Sequence, residues 1–107
     1  MQVQQISVAE LAERLDASAV VVDVRQPDEY LGGHVPGAVL IPLNDVPVRY
    51  GELPTDREVL VVCRSGGRSY VASEFLVANG VRAVNVAGGT LAWIESGREV
   101  VEGESPS

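Results

Sequence analysis

A single cysteine, Cys63, lies between a run of strand-forming residues and a glycine-arginine loop, in the stretch VLVVCRSGGRSYVASEFL. Gly66 and Gly67 can adopt the backbone angles that turn successive N–H groups toward one point. The N-terminus of the helix predicted after the loop adds partial positive charge, and Arg64 and Arg68 add two permanent cations. Together these features stabilise an anion, and the nearest one is the thiolate of Cys63. The pattern predicts a reactive cysteine rather than a small buried apolar residue.

Four further residues are candidates for the same site. Ser65 and Ser69 carry hydroxyls that can donate to a sulfur anion, although for Ser69 we favour capping of the following helix. Asp23 and Arg25 end another predicted strand at the same edge of the sheet. They can touch a substrate there, but an internal ion pair that pins neighbouring loops is the interpretation we favour.

Apolar, β-branched runs predict the strands that position these residues. Continuous runs of this kind are typical of strands buried on both faces of a parallel sheet. They occupy Ala19–Val24, Ala38–Pro42, Val59–Cys63 and, more weakly, Ala83–Ala87. In such sheets ligands bind beyond the carboxyl ends of the strands, which is where Cys63 stands.

Helical patterns alternate with these strands. Ser7 and Glu10 are spaced as a capping box, and apolar residues follow them at helical intervals. The mostly apolar stretch Ser69–Asn79 and the segment GGTLAWIESG predict two more helices, and PLNDVPVRYGELP predicts a short helix broken by Pro47. Alternating strands and helices indicate one α/β domain with a mainly parallel sheet.

Composition excludes several classes of function. The chain has 107 residues and a net charge of −7, which argues against nucleic acid as a partner. All eight basic residues are arginines, so a phosphate loop of the Gly-Lys-Ser/Thr type is absent. One cysteine excludes an internal disulfide. With no secretory signal and no apolar run near the roughly 20 residues that span a bilayer, we expect a cytoplasmic protein without a membrane partner.

Three segments besides the cysteine loop agree with one known family. The loop Cys63–Arg68 resembles the active-site loop of the rhodanese sulfurtransferases. Asp23–Pro42, with its Asp-Val-Arg, Glu-Tyr, Gly-His and Pro-Gly-Ala elements in order, resembles the first signature of that family, and GGTLAW (Gly88–Trp93) resembles its C-terminal signature. The resemblance extends from about Ile6 to Gly97.

The resemblance implies a single rhodanese-like domain over residues 1–97, with a five-stranded mainly parallel sheet and helices on both faces. The first strand is then the short VQQIS, and residues 98–107 form an acidic tail that we expect to fray. The implied activity is transfer of sulfane sulfur from thiosulfate or a similar small anionic donor to cyanide, a thiol or a protein thiol. A persulfide on Cys63 carries the sulfur, while residues 64–69 bind it, and no cofactor is required.

Two other functions remain open at this point. A rhodanese-like domain can serve as a non-catalytic binding module, although inactive versions commonly lack the cysteine. A phosphatase or arsenate reductase of the same fold is disfavoured, because four residues separate Cys63 from Arg68 where the protein-phosphatase signature has five, and because further thiols are lacking.

The remaining candidate residues are expected to be structural. His34 is the only histidine, and in its turn of glycine and proline we expect it to hydrogen-bond to backbone groups. With one histidine and one cysteine in the chain, we expect no metal site. Trp93 is expected to anchor the last helix in the core.

Overall fold

Parallel pairing joins all the strands of the sheet. The computed structural model describes residues 3–15 and 19–107, and within these ranges five strands form one sheet in the order β1-β5-β4-β2-β3. The strands are Gln4–Ile6 (β1), Val20–Asp23 (β2), Val39–Leu40 (β3), Glu58–Val62 (β4) and Arg82–Val86 (β5). Every neighbouring pair is parallel, so the predicted α/β class and five-stranded sheet are confirmed.

The central strand β4 explains the continuous apolar run in the sequence. Its residues Val59 to Val62 are all 0% exposed, because both faces of the sheet are covered. Leu60 and Val62 pack into one apolar cluster, whereas Val59, Val61 and Cys63 pack into the other. The two-residue alternation of a strand therefore directs Cys63 to the second face.

Helices cover both faces, as predicted. They span Val8–Leu15 (α1), Pro27–Leu31 (α2), Val46–Arg49 (α3), Gly67–Ala78 (α4) and Gly89–Glu95 (α5). Leu11 of α1 and Trp93 of α5 belong to the first cluster, whereas Val46 of α3 and Leu76 of α4 belong to the second. None of the helices in the described ranges combines the length and the apolar character needed to cross a membrane.

The ends of two helices test predictions made from short sequence motifs. Ser7 and Glu10 form the capping box of α1, since the Glu10 N–H donates to Ser7 Oγ at 3.2 Å and the Ser7 N–H donates to Glu10 Oε1 at 3.3 Å. Pro47 was expected to break a helix, but it lies in the first turn of α3. A proline is tolerated there because the first helical N–H groups have no partner within the helix.

The segment after α5 differs from expectation. Residues 98–107 were expected to fray, but in the structure Val101 and His34 exchange backbone hydrogen bonds of 2.9 Å in each direction. The Gly103 N–H donates to the Leu31 carbonyl at 2.9 Å, and Val100 packs against the first cluster. The loop after α2 offers unpaired backbone groups, and the tail satisfies them.

Trp93 and His34 were expected to have structural roles, and both side chains contact backbone carbonyl groups. Trp93 is 4% exposed, and its Nε1–H donates to the Glu99 carbonyl at 2.7 Å. The two ring nitrogens of His34 each lie 2.9 Å from a backbone carbonyl oxygen, those of Tyr30 and Ser105. His34 thus joins α2 to the C-terminal segment.

Candidate active site

Cys63 occupies the first position after the central strand. β4 ends at Val62 and α4 begins at Gly67, so only four residues connect the strand to the helix. The strands β2 and β5 flank β4 and end at the same edge of the sheet. Cys63 therefore lies at the edge of the sheet where three neighbouring parallel strands end, and it is 1% exposed.

The loop brings N–H donors to the sulfur. The Gly66 N–H donates to Cys63 Sγ at 3.1 Å. Gly66 has φ +109°, a conformation that side chains rarely adopt, and it precedes the first residue of α4. Gly67 has no such angle and open space where a Cβ would lie. Only one glycine of the pair therefore needs to be glycine for the loop to turn.

Ser69 faces the sulfur rather than the end of the helix. Its Oγ lies 3.3 Å from Cys63 Sγ and 2.5 Å from Asn85 Oδ1, so its single O–H proton is shared between these two acceptors, and the residue is fully buried. Gly66 occupies the N-cap position and provides no side-chain cap. The capping role that we favoured for Ser69 is wrong, because the helix begins two residues earlier than its apolar pattern predicted.

Asn85 is a neighbour of the site that sequence reasoning missed. It lies on β5, and its Nδ2 donates to the Gly66 carbonyl at 3.2 Å and to Gln5 Oε1 at 3.0 Å. It connects the loop to strands β1 and β5. The available signal was a single amide within the apolar stretch AVNVA, because a buried polar group requires partners.

These contacts favour the thiolate. Burial raises the pKa of the Cys63 thiol, but hydrogen bonds from the Ser69 hydroxyl and from the N–H groups of Ser69, Gly66 and Ser65 outweigh it. The net pKa lies below the usual cysteine value. A larger fraction of Cys63 is thus ionised at neutral pH than of a free cysteine, as a nucleophile requires.

The two loop arginines have different surroundings. Arg68 donates from Nη1 and Nη2 to the two carboxylate oxygens of Glu29 on α2, at 2.7 and 2.8 Å. Arg68 holds the pKa of Glu29 down to about 2. Arg64 is exposed and forms no ion pair among the described residues. The Arg68 guanidinium is therefore paired with Glu29, whereas Arg64 is exposed at the surface.

Asp23 and Arg25 form a buried ion pair beside the loop. Arg25 Nε and Nη2 donate to the Asp23 carboxylate at 2.9 to 3.1 Å, and Nη2 also donates to the Gly33 carbonyl at 2.8 Å. Asp23 is 0% exposed and Arg25 is 5% exposed. The pair fixes the end of β2 to the chain after α2.

The N-terminus of α5 closes the other side of the loop. The Thr90 N–H donates to the Cys63 carbonyl, and the Leu91 N–H donates to the Arg64 carbonyl, both at 2.9 Å. A Cβ on Gly89 would lie 2.5 Å from the Cys63 carbonyl oxygen, so any larger residue would separate the two segments. This close approach explains the second glycine of GGTLAW.

A cleft opens between α2, the loop and α5. Its volume is about 170 Å³, and its lining residues are Arg25, Glu29, Arg64, Thr90, Leu91 and Ile94. Sequence reasoning did not identify Glu29 or the α5 residues as part of the site. Within the described ranges, no group of three or more His, Cys, Asp and Glu side chains is arranged to hold a metal ion.

The fold and the loop define a class: a parallel α/β domain whose nucleophile is a cysteine held by N–H donors after the central strand. Comparison with known protein families identifies the family within this class. The model of the rhodanese-like domain matches residues 7–96, and the chain belongs to that family. The resemblance drawn from the loop and the two signatures is confirmed.

Similar proteins span nearly the same length. A protein of Allochromatium vinosum named sulfurtransferase is 38% identical over 105 residues, which cover 95% of this chain and 98% of that one. A thiosulfate sulfurtransferase of Pseudoalteromonas translucida is 34% identical, with coverage of 95% and 99%. The crystal structure of a rhodanese-related protein from Thermoplasma volcanium superposes with a TM-score of 0.87 at 37% identity, covering 92% and 97%.

Proposed function

We propose that the protein is a sulfurtransferase that moves sulfane sulfur from thiosulfate or a similar donor to a thiophilic acceptor through a persulfide on Cys63. The observation that carries this proposal is the position of Cys63 Sγ, 3.1 Å from the Gly66 N and 3.3 Å from Ser69 Oγ. These donors stabilise a sulfur anion, which is the form of both the nucleophile and the loaded intermediate.

The first half-reaction is a displacement at sulfur. The Cys63 thiolate attacks the outer sulfur of thiosulfate, and an Sγ–S bond forms as the S–S bond of the donor breaks. The electron pair of that bond leaves with sulfite, so a dianion and a thiolate become a persulfide anion and a sulfite dianion. Cyanide, a small thiol or a protein thiol then takes the outer sulfur, and Cys63 returns to the thiolate. Such a double displacement gives ping-pong kinetics.

The residues of the loop have different roles in this reaction. The N–H groups of Ser65, Gly66 and Ser69, with the Ser69 hydroxyl, hold the sulfur anion. Arg64 attracts the anionic donor, and Gly67 begins the helix whose N-terminus faces the loop. Arg68 acts on the donor through its field, since its fork is occupied by Glu29.

Two further residues support the loop. Asp23 and Arg25 hold the neighbouring chain in place through their buried ion pair. No cofactor and no second cysteine is needed, because the acceptor supplies the second nucleophile.

The alternatives receive less support from the site. A phosphatase needs its loop arginine to clamp phosphate oxygens, whereas Arg68 is engaged by a carboxylate at 2.7 Å. A non-catalytic binding module needs no lowered cysteine pKa, and the donors around Cys63 lower it.

The test is the intact mass of the reduced protein before and after incubation with thiosulfate, beside Cys63→Ser. We expect the wild-type protein to gain about 32 Da and the variant to gain nothing. An unchanged wild-type mass, with the thiol still open to alkylation, would refute loading by thiosulfate and favour the binding module. Cys63-dependent hydrolysis of an aryl phosphate would revive the phosphatase.

A further inference from the structure

Beside the nucleophile, one hydroxyl proton has two possible acceptors. Ser69 Oγ lies 3.3 Å from Cys63 Sγ and 2.5 Å from Asn85 Oδ1. All three residues are at most 2% exposed. A serine hydroxyl carries a single hydrogen, so it donates fully to only one of the two acceptors at a time.

The neighbours of Asn85 determine which end of its amide faces Ser69. Asn85 Nδ2 lies 3.2 Å from the Gly66 carbonyl oxygen and 3.0 Å from Gln5 Oε1. A backbone carbonyl only accepts hydrogen bonds, so the NH2 group belongs on that side of the amide. The oxygen Oδ1 therefore faces Ser69, and because an amide oxygen only accepts, the serine must be the donor in this contact.

The charge on Cys63 Sγ decides which acceptor is the better partner. A thiolate competes well for the hydroxyl, because hydrogen bonds to charged groups are roughly twice as strong as neutral ones. In a thiol or a persulfide Sγ is uncharged, and uncharged sulfur is a weak acceptor. The Asn85 oxygen is then the better partner for the Ser69 hydroxyl. Without that oxygen the hydroxyl would be buried with no strong acceptor, which is unfavourable.

We propose that Asn85 is a positioning residue of the sulfurtransferase reaction: its amide oxygen accepts the Ser69 hydroxyl whenever Cys63 Sγ is uncharged and releases it when the thiolate forms. The inference rests on the proposed function and deepens it. Asn85 acts on the sulfur through Ser69. It favours the two states with an uncharged Sγ, the thiol and the persulfide, relative to the thiolate.

During loading the negative charge leaves Sγ. The Cys63 thiolate bonds to the outer sulfur of thiosulfate, the S–S bond of the donor breaks, and its electron pair leaves with sulfite. The charge of the new persulfide lies on its outer sulfur. As Sγ loses charge, the Ser69 hydroxyl hydrogen turns about the Cβ–Oγ bond toward Asn85 Oδ1. No proton is transferred, and no oxidant or reductant is required.

The charged groups around the loop stay the same in this exchange. Arg68 on α4 is paired with Glu29 on α2, and Arg25 is paired with Asp23 at the end of β2. Arg64 lies in the loop itself, whereas the first turn of α5 and the end of β5 carry no charged residue. A change of the thiol pKa in a variant at position 85 therefore reports on the hydroxyl and not on an altered charge.

The experiment compares wild type with Asn85→Leu, whose side chain branches at the same carbon but accepts no hydrogen bond. The pH profile of alkylation by iodoacetamide gives the pKa of Cys63, and intact mass gives the rate of loading with thiosulfate. The alkylation midpoint should fall by about 0.5–1 pH unit, because the thiol state loses the acceptor for its neighbouring hydroxyl. Well above this midpoint, loading should be about fivefold slower, because the hydroxyl has no acceptor as charge leaves Sγ.

Two further variants separate this role from support of the loop. Gln5→Ala removes a partner of Asn85 Nδ2 and leaves Oδ1 in place, so its midpoint and its loading rate should match those of wild type. In a Ser69→Ala background, Asn85→Leu should move the midpoint by less than about 0.2 pH unit, because no hydroxyl remains to be shared. The Gly66 carbonyl also accepts from the Tyr70 N–H at 3.2 Å, so the loop keeps this bond in every variant.

Asn85→Val has a shorter side chain that also accepts no hydrogen bond, and it should give the same two changes as the leucine variant. An unchanged or raised midpoint in these variants would overturn the inference, because Asn85 would then only support the loop. An equal shift in the Ser69→Ala background would overturn it as well. Failure of the proposed function looks different, because wild type would then gain no mass from thiosulfate while the alkylation midpoints would still report on the shared proton.

Discussion

Alanine substitutions at the two adjacent loop glycines, Gly66 and Gly67, should have opposite effects on stability. Gly66→Ala places a Cβ at φ +109°, 3.3 Å from the Gly88 N. Backbone strain of this kind costs about 1–3 kcal/mol. For a domain of this size, a loss of about 2 kcal/mol lowers the melting temperature by about 8 °C. The same strain moves the Gly66 N–H away from Cys63 Sγ, so the pKa of the thiol should rise and persulfide loading should slow.

Gly67→Ala is the control for this prediction. Its Cβ meets nothing within 4 Å, and its φ is not positive. An alanine in a helix is favoured over glycine by about 0.5–1 kcal/mol, so this variant should be as stable as wild type or more stable.

Two assays test the pair together. Thermal unfolding gives the difference in stability, and the rate of loading with thiosulfate gives the difference in the site. Equal melting temperatures for the two variants, or wild-type loading in Gly66→Ala, would refute the role assigned to the Gly66 conformation.

Three further variants test the site and its supports. Ser69→Ala should raise the pKa of Cys63, because the thiolate loses a hydroxyl donor at 3.3 Å; alkylation by iodoacetamide should need higher pH, and an unmoved pH profile would contradict this. Arg25→Leu leaves the Asp23 carboxylate buried without its partner, so the free energy of unfolding measured in urea should fall by about 3–5 kcal/mol. A decrease of less than about 1 kcal/mol would contradict the role given to the buried pair. A chain that ends at Gly97 should have a free energy of unfolding about 2 kcal/mol lower than the full chain, because the backbone hydrogen bonds of His34 and Leu31 with the tail are removed. An unchanged urea midpoint would show that the tail does not contribute to stability.

Strands and the cysteine loop were predictable because their signals are local. Short valine-rich runs bounded by polar residues are typical of buried strands, and glycine after a strand end predicts a turn that returns N–H groups to its start. The predicted bounds differ from the observed ones by only one or two residues, as for Val59–Cys63 against Glu58–Val62.

The contacts that set the character of the site were not predictable, because they join distant residues. Glu29 and Arg68 are 39 positions apart, and α2, which carries Glu29, has only five residues and therefore too little length for helical periodicity. The sequence predicted a loop cation that contributes to anion binding, whereas the fold pairs the Arg68 guanidinium with the Glu29 carboxylate.

The contacts of the C-terminal tail were not predictable for a related reason. Its acidic, Ser- and Pro-rich composition predicts fraying, but its partners include backbone groups at Leu31, His34 and Gly37, which no composition reveals. Main-chain pairing of this kind depends on where the preceding fold leaves its unpaired groups.

The central claim is that Cys63 carries the sulfur between two separate half-reactions. The most direct measurement loads the protein with thiosulfate, removes the donor by desalting and then adds cyanide. We expect one thiocyanate per loaded Cys63, with the intact mass falling by about 32 Da to its starting value. Thiocyanate that forms only while the donor is present, or a loaded protein that keeps its mass in cyanide, would contradict the persulfide as the carrier.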